Sequence, residues 1–194
     1  MRPDLANPGA PTRDPARFIR EQTALRPGPH APEIVLHVAD EATALWQKTE
    51  EELEAIGLPP PFWAFAWAGG QALARYLLDH PEAVAGRRVL DFAAGSGLVG
   101  VAAMKAGAAA CLCADIDRFS EAAVAANAQA NGVVLGYVGE DLLERAPPDV
   151  DVICAGDICY EKPMTDAVLA WLRRARDRGV RVLIGDPGRT YFPR

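Results

Sequence analysis

Arg88-Val89-Leu90-Asp91-Phe92-Ala93-Ala94-Gly95-Ser96-Gly97-Leu98 is the stretch that decides the fold. Val89, Leu90 and Phe92 form the apolar run of a strand covered on both faces. Ala93 through Gly97 carry almost no side chain, so a ligand can lie against the backbone of the turn. Residues 98–106 then read as a helix whose first free N–H groups point at that ligand. Asp91 stands at the strand's carboxyl end, which is awkward for a pyrophosphate and suits a cationic or amino-bearing ligand.

From Arg88 onward strand and helix alternate. The pattern predicts strands at 89–92, 110–114, 133–138, 150–155 and 180–184, with helices at 98–106, 119–131 and 164–178. Such alternation implies βαβ units, right-handed crossovers and a doubly wound, mostly parallel α/β sheet with helices on both faces. Ligands on these sheets bind outside the carboxyl ends of the strands. Those ends carry Asp91, then Asp115 with Asp117, then Glu140-Asp141, then Asp157, then Asp186. One such acid is most often a cap or turn residue; five at one edge point to a site. Asp115, after the second strand, is placed to hydrogen-bond ribose hydroxyls, and Asp141 to accept from an exocyclic amino group.

The 194-residue length suits one domain with a sizeable core. A net charge of −6 argues against nucleic acid as a partner, because phosphate binding needs clustered Lys and Arg. No apolar run approaches a membrane span, and residues 1–20 lack the apolar core of a secretory signal. Cys111, Cys113, Cys154 and Cys159 fall at strands or strand ends, while His30, His37 and His80 lie far off in sequence. The cysteines therefore read as reduced, structural residues in a cytoplasmic protein, with no metal site.

Ahead of the core, residues 1–32 read as a mobile Pro-rich tail and a short helix at 16–25, and 33–86 as a segment packing over the site. Residues 34–36 are extended, and Asp40 caps a helix at 41–56. Phe62-Trp63-Ala64-Phe65-Ala66-Trp67-Ala68-Gly69-Gly70 is the densest aromatic patch. It reads either as a core plug or as a wall over the ligand, with the two glycines allowing close backbone approach. A helix follows at 71–79.

Gly95-Ser96-Gly97-Leu98-Val99-Gly100 is formally G-x-G-x-x-G, and Asp115 lies at the distance expected for a nicotinamide dinucleotide site. Against an oxidoreductase stand Asp91 beside the pyrophosphate position, the late first strand, and no evident hydride-transfer acid. S-adenosylmethionine is cationic and free of phosphate, so an acid-lined edge suits it better. Asp91-Phe92-Ala93-Ala94-Gly95-Ser96-Gly97 resembles the acid-x-Gly-x-Gly-x-Gly motif of class I, seven-strand methyltransferases, departing from it at Ala93. That departure is mild if the position does not need positive φ. Cys113-Ala114-Asp115-Ile116-Asp117 resembles their second motif.

Three stretches are similar to a narrower family, the lysine methyltransferases of the electron-transfer flavoprotein β-subunit. They are residues 63–77, Gly156-Asp157-Ile158-Cys159-Tyr160 with its Asp-x-x-Tyr element, and residues 181–189 ending Gly185-Asp186-Pro187-Gly188-Arg189. The resemblance implies a protein-lysine N-methyltransferase with residues 87–194 as its S-adenosylmethionine-binding core. Trp67, Asp91, Ala93 and Gly95 would contact the cofactor, together with Gly97, Asp115, Ile116 and Asp141. Asp157 would orient the lysine amine and Tyr160 would wall it by cation–π contact, with Phe62, Trp63, Trp67 and Tyr191 as further wall candidates. A small-molecule N-methyltransferase on the same cofactor half is the alternative. The fold normally closes with a further helix and an antiparallel strand pair. The sequence stops at Arg194, so a bare, apolar sheet edge is expected.

Overall fold

In the computed structural model, which describes residues 14–39 and 60–193, the chain begins with helix α1 (Pro15–Gln22). Asp14 caps it by accepting from the Ala16 N–H. The helix stops short of the predicted residue 25. The Thr23 hydroxyl donates to the Ile19 carbonyl, and strand β1 (Ala24–Pro27) pairs antiparallel with β2 (Val35–Val38). That pairing is a contact across a loop, which local periodicity does not encode. The predicted helix at 41–56 and the tail before Asp14 lie outside the described residues.

A single 3-10 turn at Phe62–Ala64 leads into α2 (Ala68–Asp79). The alternating core follows: β3 (Arg88–Phe92), α3 (Leu98–Lys105), β4 (Ala110–Ala114), α4 (Arg118–Asn131), β5 (Gly136–Val138), β6 (Val152–Gly156), α5 (Lys162–Asp177) and β7 (Arg181–Gly185). The five core strands are all parallel, in the order β5-β4-β3-β6-β7. The doubly wound α/β sheet is therefore as expected. β5 begins three residues later than predicted because Gly132, at φ 66°, ends α4 and the Val133 N–H bonds back to the Ala128 carbonyl.

β3 shows why both faces are covered. Val89 faces the layer holding α2 and α3, and Leu90 faces the opposite layer, where α5 contributes Val168, Trp171 and Leu172. Phe92 lies on Trp171 with ring centroids 5.1 Å apart. A third cluster joins Phe18 and Ile19 of α1 to Trp63, Ala64 and Phe119. The N-terminal segment is also tied through α4. Asn127 Oδ1 accepts from the His37 N–H at 2.7 Å, and Asn131 bonds both backbone groups of Val35 at 3.0 and 2.6 Å. Two amide side chains thus stand in for a neighbouring strand. All four cysteines are buried and free. Among the described residues, no helix is long and apolar enough to cross a membrane.

Candidate active site

The order of strands reverses between β3 and β6, so the loops after these two strands meet at one edge. The loop after β3 is the glycine turn. Ala93, Gly95 and Gly97 have φ of 55°, 50° and 75°. Ala93 thus occupies the left-handed region, contrary to the mild substitution expected, and pays a strain that glycine would not. At Gly97 a Cβ would also come within 3.0 Å of Val124 Cγ2.

Asp115 braces the turn. Its Oδ2 accepts from the Gly95 N–H at 2.8 Å and its Oδ1 from the Asp117 N–H at 2.9 Å. Asn127 holds the other side, donating to the Ser96 carbonyl at 2.8 Å. Asp117 caps α4 through the Phe119 N–H, and burial pushes its carboxyl up to about 6, with the Asp115 charge adding to the effect. Asp91 differs from expectation. It faces the α3 layer, is 1% exposed, and accepts from the Gly100 N–H at 2.9 Å. Strand alternation turns it under the turn instead of toward open space. Burial pushes its carboxyl up to about 8 against the Gly100 hydrogen bond, with the Asp115 charge a smaller upward push. A Cβ on Gly100 would lie 2.7 Å from Cys113 Sγ, so this glycine serves helix–strand packing.

Asp91, Ala93, Gly95, Gly97 and Asp115 are therefore brought together, with Ile116 exposed at the rim. Asp141 stays on the loop after β5, where it accepts from the Leu143 N–H at 2.9 Å. The turn offers backbone groups and the Asp115 carboxylate, a set that fits a cationic cofactor without phosphate.

Asp157, after β6, is with Ala93 one of two non-glycine residues at positive φ among the described residues, at 59°. Its N–H donates to the Gly185 carbonyl at 2.8 Å, and its Oδ2 accepts from the Gly70 N–H at 2.7 Å. Its Oδ1 accepts from Arg189 Nη1 at 2.6 Å. The carboxylate expected to wait for an amine is thus already bound at the start of α2. Gly69 and Gly70 serve the same corner: a Cβ on Gly69 would strike the Gly185 carbonyl, and one on Gly156 would come within 2.9 Å of Gly70 Cα. Gly69 thus lets the start of α2 close onto the strand ends.

Tyr160 is exposed three residues on, with its ring 5.9 Å from that of Phe62. Phe62 in turn meets Trp67 at 6.0 Å, and the Trp67 Nε1–H donates to the Phe62 carbonyl. A Cβ on Gly95 would lie 3.7 Å from that same carbonyl, so the aromatic row stands beside the glycine turn. Trp63 is not a wall residue; it is buried and stacked on Phe119 at 6.0 Å. The patch divides between a buried plug at Trp63 and an exposed row beside the turn. Arg189 closes the 181–189 stretch, but nothing in the sequence pairs it with Asp157, 32 residues away.

Residues 72–159 match the family model for ribosomal protein L11 methyltransferase (PrmA). The electron transfer flavoprotein beta subunit lysine methyltransferase of Xenopus laevis is 39% identical over 180 residues, covering 92% of this chain and 72% of that protein. The chain belongs to that lysine methyltransferase family. The family's Danio rerio member is 38% identical over 163 residues, covering 83% of this chain and 62% of its own length. A solved ribosomal protein L11 methylase from Lactobacillus delbrueckii subsp. bulgaricus shares the fold, with a TM-score of 0.50, 24% identity, and coverage of 61% of this chain and 60% of that one. Membership in the lysine methyltransferase family sets aside the nicotinamide dinucleotide oxidoreductase.

Proposed function

We propose that the chain methylates a lysine side chain of a protein in the cytoplasm, using S-adenosylmethionine, with the electron-transfer flavoprotein β-subunit or a similar protein as substrate. The observation that carries this reading is the row Tyr160–Phe62–Trp67 standing beside the glycine turn, at the reversal of strand order. It supports an apolar entrance for one long side chain next to a cofactor turn.

The residues divide into two groups. Ala93, Gly95 and Gly97 leave the turn open for the cofactor, with Asp115, Ile116, Asp91, Asp141 and Trp67 around it. When bound, S-adenosylmethionine supplies an electrophilic methyl group for in-line attack by an amine. The amine must be neutral, and a free lysine has a pKa of about 10.4. The aromatic row lowers it by excluding water, and Tyr160 receives the cationic product by cation–π contact. Each carboxylate oxygen of Asp157 keeps a lone pair beyond its present bonds, which suffices to orient an N–H, and water takes the proton.

The test offers labelled S-adenosylmethionine with either the purified flavoprotein β-subunit or small amines. Label on a lysine of the protein supports the reading. Label on free amines alone replaces it with the small-molecule N-methyltransferase.

A further inference from the structure

Asp157 sits in a cluster with Arg189 and Asp186, two residues to which the methyl-transfer chemistry above gives no role. Arg189 Nη1 lies 2.6 Å from Asp157 Oδ1 and 3.2 Å from Asp186 Oδ2, and the three side chains are 26%, 12% and 0% exposed in the order Arg189, Asp157, Asp186. Asp186 holds the arginine twice, since its Oδ1 also accepts from the Gly188 and Arg189 N–H groups at 2.8 and 2.7 Å. Asp157 then links this β7 loop to the Gly70 N–H at the start of α2. One ion pair therefore fastens three elements around the residue that precedes Tyr160 by three positions.

The charge matters as well as the fastening. A bare carboxylate beside a lysine amine favours the ammonium form, which cannot attack a methyl group. The groups facing Asp157 are Arg189 from the β7 loop, with Asp186 behind it, and the positive end of α2, whose first turn has no acid. Cys159 and Tyr160 follow on its own loop, Cys159 feeling the Asp186 and Arg189 charges and Tyr160 those of Glu161 and Asp115. Burial pushes both the Cys159 thiol and the Tyr160 phenol upward, away from their charged forms. Glu161 is exposed beyond them. Arg189 is the cation that answers Asp157.

We propose that Arg189 is a positioning residue for lysine methylation, fixing the Asp157–Tyr160 corner and cancelling the pull of the Asp157 charge on the substrate amine. This rests on the lysine-methyltransferase reading above. An arginine with one nitrogen shared between two carboxylates is ordinarily a structural tie. What separates the two roles is the protonation of the substrate.

The experiment compares wild type, Arg189→Met and Arg189→Lys on the flavoprotein β-subunit from pH 6.5 to 10, with hydrogen exchange over residues 157–161. In Arg189→Met, kcat falls about 10- to 100-fold while cofactor affinity stays within about threefold. Its kcat profile moves to higher pH by about one unit, because the amine is now held as ammonium. Exchange over 157–161 rises. Arg189→Lys keeps the charge, so its profile overlays that of wild type and it recovers most of the rate. An unshifted profile in Arg189→Met, or a shifted one in Arg189→Lys, overturns the proposal. If Arg189→Met does not fold, the Arg189→Lys profile decides alone. If wild type methylates no protein lysine, the functional reading falls, while exchange over 157–161 still tests the clamp.

Discussion

Replacing Ala93 by glycine should stabilise the protein, which is the reverse of the usual effect of an alanine-to-glycine change. Ala93 is held at φ 55° in the turn after β3, with the Ala94 N–H bonded to the Ala114 carbonyl at 3.0 Å. An L-residue in the left-handed region carries about 1–2 kcal/mol of steric cost. Glycine removes that cost but gains about 0.4–1 kcal/mol of freedom in the unfolded chain. The balance is a gain of about 0.5–1 kcal/mol, which for a domain of this size raises the melting temperature by about 1–4 °C. Ala93 is exposed, so losing its methyl leaves no cavity to offset the gain. Urea and thermal unfolding of the two proteins side by side measure the difference. A fall in both midpoints would mean that Ala93 does not sit at positive φ, and the geometry assigned to the turn would be wrong.

Three further outcomes are expected. Asp115→Ala removes acceptors for Gly95 and Asp117 and should weaken cofactor binding by about 1.5–3 kcal/mol, read by calorimetry; unchanged affinity would show the turn stands without it. Asp157→Asn should keep cofactor affinity within about threefold and lower turnover 10- to 1,000-fold, so loss of cofactor binding would make Asp157 a cofactor residue instead. Asp91 and Asp117 are raised to about 8 and about 6, so the folded protein holds protons there that the unfolded chain releases from about pH 4 upward. Their contribution to stability is complete in acid and is lost as pH rises toward 8, by at most about 1.4 kcal/mol per unit for each carboxyl. Asp91→Asn should flatten that slope in urea titrations at pH 5 to 8, and an unaltered slope would refute the assignment.

What the sequence made legible was what repeats along the chain. The alternating runs placed all five core strands and the helices between them. The acid after each strand marked the edge where Asp115 and Asp157 now stand. What stayed hidden depends on contacts between distant residues. No local pattern pairs β1 with β2, and none says that Gly69 abuts the Gly185 carbonyl. Ala93 hid its left-handed backbone because alanine carries no mark of φ. Asp91 misled because position at a strand end does not say which face a side chain takes; counting alternation from Leu90 would have turned it toward α3. Trp63 and Phe62 are neighbours with opposite fates, one stacked on Phe119 with Phe18 edge-on beside it and the other exposed.

The corner at Asp157 also bears on how the molecule assembles and ages. The bond from Gly70 to Asp157 joins residues 87 apart in the chain, and that from Arg189 joins residues 32 apart. Closing such loops costs entropy that an already ordered sheet offsets, so these bonds are expected to close late in folding, after the strands have paired. Bonds confined to the loops at the sheet's edge also open in local fluctuations that leave the core intact. Warming should therefore silence the enzyme reversibly before it melts, with the thermal limit of turnover set by this corner and the limit of folding set by β3 and its neighbours.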